Sequence, residues 1–169
     1  MDLEKYRDPW MAQMVNKYIG FFMREFYVFD NFSAFKIKHE GITYQTVEHA
    51  YQAAKFSRSC PKTYALIREA PSAYDAQRLA REHADKCDKK FNEIKVQLME
   101  KLLRAKLEQH PHVREKLLRT KNYPIVEDSP KDSFWGIGPN RDGQNMMGRL
   151  WMKLRTELQN DNARPVGRN

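Results

Sequence analysis

The sequence predicts a mainly helical α+β fold, in a single domain with a small strand and hairpin element near its N-terminal end. Three observations support this prediction. Apolar residues recur at helical spacings through most of the chain after residue 46, whereas the stretch before it is rich in aromatic and β-branched residues. A chain of 169 residues is most simply one domain. We expect an N-terminal arm at 1–18, the domain at 19–158 and a polar tail at 159–169.

The strand signals lie between residues 19 and 44. Residues 2–18 carry a helical pattern that Pro9 interrupts, and the aromatic run at 19–29 is typical of a strand. Apolar and basic residues alternate at 35–38, and Ile42 to Tyr44 follow after Gly41, which predicts a hairpin. The turn-prone segment at 30–33 connects strand and hairpin and can deliver Asn31 to a site.

Helices are predicted for most of the remaining chain. Residues 46–56, TVEHAYQAAKF, form a short helix that Thr46 caps, and further short helices are expected at 62–68, 72–83 and 112–118. Asp88 resembles an N-cap for a long helix that ends near Gln109. Its expected apolar stripe is Phe91, Ile94, Leu98, Leu102 and Ala105.

The C-terminal part predicts a loop and one more helix. A short extended piece is expected at 124–127, and a long ordered loop with three glycines follows it. Asn145 can cap the final helix, whose N-terminus would offer a seat for an anion. The apolar positions of that helix are Met147, Leu150, Trp151, Leu154 and Leu158.

Charge and composition narrow the class of protein. The net charge is +8, and the segment from Lys86 to Lys121 holds eleven Lys and Arg against five Asp and Glu. This excess would suit nucleic acid, a phosphorylated small molecule or a solvated helical face. Two cysteines without metal-ligand spacing indicate neither a disulfide framework nor a zinc site. No apolar run is long enough for a membrane span and no targeting signal is recognised, so we expect a cytoplasmic protein without metal or cofactor.

One face of the helix at 46–56 carries candidate chemistry. Glu48, Gln52 and Lys55 fall at i, i+4 and i+7, so an acid, an amide and a cation point the same way. The alternative is an ordinary solvated face, with Glu48 as a first-turn acid that complements the helix dipole.

Several motifs together resemble the NADAR family of YbiA-like proteins. They are FDNFSAF at 29–35, TVEHAYQAAKF at 46–56, MEKLLRAKLEQHPHVREKLLRT at 99–120 and IVEDSPKDSFWGIGPNRDGQNMMGRLWMKLR at 125–155. The resemblance spans about residues 20–158. It implies the YbiA-like fold and an N-glycosidase that hydrolyses an N-glycosidic bond to ribose. The implied substrates are ribosylamino-pyrimidine phosphates, which are riboflavin intermediates, or ADP-ribosyl-guanine in nucleic acid.

The resemblance also assigns site residues. Glu48 and Asp132 are the expected catalytic carboxylates, for water activation or for stabilising the cationic sugar. The expected substrate-binding residues are Asn31, Gln52, Lys55, Trp135, Gly136 and Asn145. Trp135 would stack on the ring, and Lys55 with the helix that begins after Asn145 would receive phosphate. Trp135 could instead anchor the core, Asn145 could be a plain cap and Asp132 could end a turn.

Three residues depart from the family pattern. Asp30 adds a carboxylate before Asn31, Phe91 stands where relatives often have tryptophan, and Tyr44 replaces a tryptophan or phenylalanine. Two rival functions stay open: a module that binds ADP-ribose or an NAD derivative without turnover, and a nucleic-acid-binding protein that uses the Lys86 to Lys121 face. The oligomeric state is not predicted.

Overall fold

The computed structural model describes residues 18–21 and 24–163, and it confirms a mainly helical α+β fold. The pattern predicted for 2–18 therefore lies almost wholly outside the described residues. The helices are α1 (Val47–Ala54), α2 (Pro61–Arg68), α3 (Ala73–Glu82), α4 (Phe91–Gln109), α5 (Pro111–Arg119) and α6 (Met146–Ala163). The strands are β1 (Ile19–Gly20), β2 (Ile37–His39), β3 (Ile42–Tyr44) and β4 (Ile125–Val126), with 3₁₀ helices at Arg24–Phe29 and Ala84–Lys86.

The chain divides into two compact units. The central unit is continuous and contains residues 31–111. The terminal unit combines the chain up to Asp30 with the chain from His112 onward. Each unit has its own buried apolar residues and its own small sheet, so each is described separately.

In the central unit, α1 is surrounded by other helices. It packs against α2, α3 and α4, and α4 also packs against β2. Such an environment explains why α1 is buried on nearly every side, from Val47 to Ala53. A short helix gains little stability from its own hydrogen bonds, so these contacts hold it in place.

The predicted hairpin is confirmed in the central unit. β2 and β3 pair antiparallel, with Ile37 opposite Tyr44 and His39 opposite Ile42. Glu40 and Gly41 form the turn with φ values of 50° and 82°, a left-handed conformation that glycine adopts without strain. The side chain of Gln109 at the end of α4 both accepts from the amide and donates to the carbonyl of Lys38. The hairpin is thereby fixed to α4.

In the terminal unit, α6 packs against a two-stranded parallel sheet. β1 pairs with β4, with Ile19 opposite Ile125. The apolar positions predicted for α6 are all buried, and the indole N–H of Trp151 donates to the carbonyl of Phe29 at 3.0 Å. The rings of Phe29 and Trp151 also lie 5.0 Å apart. This contact lies in the core of the unit.

The strand predicted at 19–29 is wrong beyond Gly20. β1 stops after two residues and the chain from Arg24 to Phe29 forms a 3₁₀ helix. The partner strand β4 is itself only two residues long, so among the residues described the segment Arg24–Phe29 has no strand to pair with. Phe26 and Phe29 pack inward instead, with their rings stacked at 5.8 Å. Packing decides strand formation more than residue preference does.

The ends of two long helices also differ from the prediction. Asp88 caps the turn that leads into α4, since its Oδ1 accepts from the amide of Lys90, but the helix itself begins at Phe91. Ile94 is 40% exposed rather than buried, because the face of α4 that turns inward contains Met99 and Lys106. Helix α6 continues to Ala163, well into the segment predicted as a polar tail. In the part of the chain described, no helix is long and apolar enough to cross a membrane.

Candidate active site

The start of α1 is fixed by two side chains, which gives its first turn a defined geometry. Thr46 is the N-cap, and its hydroxyl oxygen accepts from the amide of His49 at 3.3 Å, as predicted. His49 Nε2 lies 3.1 Å from the carbonyl of Ala70, and its Nδ1 lies 2.9 Å from the Thr46 hydroxyl. Because a carbonyl only accepts, Nε2 donates and Nδ1 accepts from Thr46. His49 is therefore committed to holding the helix.

Glu48 is buried next to Gln52 on the same helix. Glu48 is 4% exposed and Gln52 is 6% exposed, so the alternative of a solvated face is wrong for both. The amide of Gln52 donates to Glu48 Oε1 at 2.7 Å, which fixes the carboxylate. Burying a carboxylate is costly unless hydrogen bonds or opposite charges compensate for the lost water. The i, i+4 spacing read from the sequence thus places an oriented carboxylate inside the central unit.

Asn31 reaches the same place from the loop before the hairpin. Its backbone carbonyl accepts from the amide of Glu48 at 3.1 Å, which attaches the loop to the first turn of α1. Its side chain is 9% exposed, and Nδ2 donates to the sulfur of Met99 at 3.6 Å. The backbone of Asn31 and the side chain of Gln52 thus each bond to Glu48, and we refer to these three residues as a cluster.

Two buried acceptor atoms of this cluster have no hydrogen-bond partner among the residues described. They are Asn31 Oδ1 and Gln52 Oε1. Leaving a buried acceptor unsatisfied costs on the order of 1–3 kcal/mol, and native proteins seldom accept this cost without a reason. Both oxygens can accept a hydrogen bond from a hydroxyl or an amino group. Together with the Glu48 carboxylate they suit a ligand rich in donors, such as a ribose bearing an amino group.

Lys55 lies at the end of α1 against two aromatic rings. Its ammonium is 5.2 Å from the ring centroid of Tyr51 and 5.9 Å from that of Phe91, and the two rings meet edge to face at 5.4 Å. Phe91 is one of the departures from the family pattern. A phenylalanine retains the ring face for the cation but lacks the N–H donor of a tryptophan.

Burial lowers the pKa of Lys55, and the nearby carboxylate of Glu48 partly opposes that effect. The folded chain therefore holds the Lys55 proton less tightly than the unfolded chain, whose lysines titrate near 10.5. Below the lowered pKa, both states are protonated and the cost of burying the charge is constant. As pH rises through the lowered pKa toward 10.5, the unfolded chain binds more protons, so stability rises.

The lowered pKa of Lys55 gives a prediction for the variant Lys55→Met. We expect the free energy of unfolding of the wild type to increase relative to that of the variant as pH rises toward 10.5. The comparison cancels the titration of the other lysines. Urea denaturation of both proteins at several pH values from 7 to 10.5 measures the difference. A difference that stays flat or decreases over that range would contradict the lowered pKa.

Asp132 and Trp135 lie in the terminal unit, in the loop before α6. Asp132 Oδ1 accepts from the amides of Phe134 and Trp135, at 2.8 and 2.7 Å. The carboxylate therefore fixes a turn, as one alternative expected, and is itself held in a fixed orientation. Trp135 is half-buried, and its ring lies edge to face with Phe134 at 5.0 Å. Gly136 is buried where a Cβ atom would lie 2.6 Å from the carbonyl of Glu127.

The prediction that the Asn145 side chain caps α6 is wrong. Asn145 has a φ of 49°, and its side chain turns back to β4: Oδ1 accepts from the amide of Glu127, and Nδ2 donates to the carbonyl of Ile125. The first amides of α6, those of Met146 and Met147, donate to carbonyls of the preceding loop. The expected anion seat at this helix end is therefore already occupied by the protein's own backbone.

Sequence reasoning missed a second buried cation in the central unit. Lys106 is fully buried, donates to the hydroxyl of Ser33 at 2.6 Å and lies 5.0 Å from the ring centroid of Phe35. The basic segment from Lys86 to Lys121 includes this lysine, and the net positive charge of that segment suggested a solvated residue. The available signal was its spacing from Leu102 and Leu103, which places it on the buried side of the helix. Lys106 anchors the loop that carries Asn31.

The unsatisfied acceptor of Asn31 predicts that Asn31→Leu lowers activity but leaves stability nearly unchanged. Leucine has a similar shape and removes a buried acceptor that has no partner, so we expect the free energy of unfolding to stay within about 1 kcal/mol of the wild type. Loss of the acceptor should nevertheless reduce kcat/KM by about 10-fold or more. Thermal melts and steady-state assays measure the two effects. Asn92→Leu, at an exposed position of α4, is the control, and a strongly destabilised Asn31→Leu would contradict the assignment.

Comparisons with known proteins agree with the expected family. The NADAR domain model matches residues 20–159. The chain is 41% identical over 130 residues to the N-glycosidase YbiA of Shigella boydii, an alignment that covers 77% of this chain and 80% of that protein. It is 33% identical to the riboflavin biosynthesis protein PYRR, chloroplastic, of Zea mays over 89% of this chain and 27% of that protein.

The fold has a solved counterpart. The NMR structure of the Escherichia coli protein YbiA matches with a TM-score of 0.76 and 36% sequence identity, over 86% of each chain. The YbiA-like fold implied by the sequence motifs is therefore confirmed. A family model that matches most of the chain, and relatives that align over most of their own length, lead to one conclusion: this chain belongs to the NADAR domain family.

Proposed function

We propose that this enzyme hydrolyses the N-glycosidic bond of a phosphorylated ribosylamino-pyrimidine, with Glu48 as its central catalytic residue. The activity class, N-glycosidase, is the one that relatives aligning over most of the chain carry in their names. The observation that carries the proposal is the buried cluster of Asn31, Glu48 and Gln52, because it combines an oriented carboxylate with two acceptors that lack partners.

The chemistry follows from what the reaction demands. When the C1′–N bond breaks, positive charge develops on the sugar, and water then bonds to C1′ while the departing nitrogen gains a proton. A carboxylate next to C1′ can stabilise the positive charge or accept the proton of the attacking water. Glu48 is fixed by Gln52 at 2.7 Å, so it requires little reorganisation during the reaction. Asn31 Oδ1 and Gln52 Oε1 would accept from ribose hydroxyls or the amino group.

Lys55 is the proposed phosphate ligand of the central unit. Its cation is half-buried on the same helix as Glu48, and a partly desolvated ammonium binds an anion more strongly than a solvated one. The amides of Met146 and Met147 are already bonded, so the proposed anion site does not include the N-terminus of α6.

Four residues of the terminal unit stay predictions from the family motif. Asp132 keeps its proposed role as a second carboxylate, supported by the two amides that orient it. Trp135 is proposed to stack on the base. Gly136 and Asn145 are proposed to shape the wall of the binding site, because the carbonyl of Gly136 accepts from the backbone amide of Asn145 at 3.0 Å and the Asn145 side chain is bonded to β4. A cytoplasmic location also stays a prediction.

A second substrate, ADP-ribosyl-guanine in nucleic acid, is favoured by the net charge of +8. We therefore propose parallel assays. The protein is incubated with a ribosylamino-pyrimidine phosphate and with DNA that carries ADP-ribosylated guanine, and the released base and sugar are identified by liquid chromatography and mass spectrometry. Release of free pyrimidine and ribose 5-phosphate is the expected result. Turnover of the DNA alone would transfer the proposal to the second substrate.

The rival function is a module that binds without turnover. If neither substrate is hydrolysed and calorimetry shows tight binding of ADP-ribose, the catalytic proposal is overturned in favour of that module. Steeply salt-dependent binding to unmodified DNA would instead indicate a nucleic-acid-binding protein.

A further inference from the structure

The buried face of α4 contacts two residues of the candidate site, Lys55 and Asn31. Phe91 contacts Tyr51 and lies beneath the Lys55 ammonium, and Met99 accepts a hydrogen bond from the side chain of Asn31. Phe91 and Met99 are eight residues apart, which is about 12 Å along a helix. These two contacts fix which face of α4 turns toward the cluster of Asn31, Glu48 and Gln52.

Lys95 lies on this face, midway between the two contacts. It follows Phe91 by four residues and precedes Met99 by four, and residues at that spacing are neighbours on one side of a helix. Lys95 is half-buried, whereas Glu93 and Ile94 beside it are exposed. Lys95 therefore lies between the residue that contacts Lys55 and the residue that contacts Asn31.

The charges agree with this position. Burial lowers the pKa of Lys55, the charges of Glu48 and Cys87 oppose this shift, and the like charge of Lys95 adds to it. The two ammonium groups are thus close enough to interact with each other. Like charges that are held close together repel each other, and a bound anion removes that repulsion.

We propose that Lys95 is a substrate-binding residue, a second ammonium group that binds the phosphate of the substrate together with Lys55. The inference rests on the proposed function, since a ribosylamino-pyrimidine phosphate supplies the dianion. It assigns the phosphate end of the substrate to the space between the C-terminal end of α1 and the first half of α4. The ribose end then lies toward Asn31, Glu48 and Gln52.

The test compares two variants with two substrates. The variants are Lys95→Gln and, as a matched control, Lys101→Gln at an exposed position of the same helix. The substrates are the ribosylamino-pyrimidine phosphate and its dephosphorylated form. For Lys95→Gln we expect KM for the phosphorylated substrate to rise by about 10- to 100-fold, as for loss of a charged hydrogen bond. KM for the dephosphorylated substrate should stay within about 2-fold, and Lys101→Gln should leave both unchanged.

An equal loss on both substrates, or no change on either, would overturn the proposal. Lys95→Arg separates charge from packing, because it keeps the cation and should recover most of the affinity for the phosphorylated substrate. Thermal melting of each variant shows whether the protein is folded. If Lys95→Gln does not fold, Lys95→Arg and Lys95→Met replace it in the same comparison.

A titration without turnover keeps this proposal separate from the proposed function. Ribose 5-phosphate and ribose are each titrated into wild type and Lys95→Gln by calorimetry. We expect ribose 5-phosphate to bind the wild type at least 10-fold more tightly than the variant, and ribose to bind both alike. That result supports the phosphate site even if no substrate is hydrolysed. Equal binding of ribose 5-phosphate to both proteins refutes the site even if hydrolysis is observed.

Discussion

Replacing Glu48 by glutamine is expected to reduce kcat for base release by about 10²- to 10⁴-fold, the range typical of a positioned acid or base. Glutamine has nearly the same shape, and its amide oxygen can still accept from Gln52, so the fold should be retained. The change removes the negative charge that would face the developing positive sugar. Chromatographic measurement of released base, over a range of substrate concentrations at a fixed enzyme concentration, determines kcat for both proteins.

The control for this variant is Glu82→Gln, at an exposed position of α3, which should retain wild-type activity. Binding of ribose 5-phosphate to Glu48→Gln should stay within a few fold of the wild type, because the lost charge acts at the reacting carbon. If Glu48→Gln and the wild type release base at the same rate, Glu48 is not the catalytic carboxylate. Asp132→Asn would then be the next variant to measure.

Replacing Gly148 by alanine is expected to cause the largest loss of stability. The added Cβ atom would lie against the carbonyl of Ile125 and 2.5 Å from the side-chain nitrogen of Asn145. Both groups are fixed, since they hydrogen-bond to each other at 2.9 Å where β4 meets α6. An atom forced into such a contact costs about 3 kcal/mol. For a chain of this size, that corresponds to a decrease in Tm of roughly 6–12 °C.

Thermal melting followed by circular dichroism measures this effect. Arg149→Ala is the matched control, since it changes the adjacent, exposed position of α6 to the same residue. Its Tm should stay within about 2 °C of the wild type. A Gly148→Ala protein with unchanged Tm would mean that the junction of β4 and α6 can separate without cost, contrary to the hydrogen bonds described.

The features that could be predicted from the sequence are those that local interactions determine. The Thr46 cap, the turn at Gly41 and the apolar spacing of α6 each depend on residues a few positions apart. The meeting of Glu48 with Gln52 is of the same kind, because a helix places i and i+4 side by side. The confirmed family resemblance supplied Asn31, which spacing alone would not have connected with Glu48.

The features that were missed depend on contacts between distant parts of the chain. The bond from Lys106 to Ser33 and the orientation of the Asn145 side chain toward β4 join residues that no local pattern relates. The helical period placed Lys95 on α4 but did not show which side of α4 faces the cluster. Only the contacts of Phe91 and Met99 define that side.

The parallel pairing of β1 with β4 has a consequence for how the chain folds. Ile19 and Ile125 lie on either side of the whole central unit in the sequence, so the sheet of the terminal unit can form only after a very long loop closes. The central unit is continuous and closes shorter loops, such as the separation of 73 residues between Ser33 and Lys106. We expect it to acquire structure first, during synthesis before α6 has emerged from the ribosome. The helix that carries Glu48 would then be in place before the loop that carries Asp132 has been made.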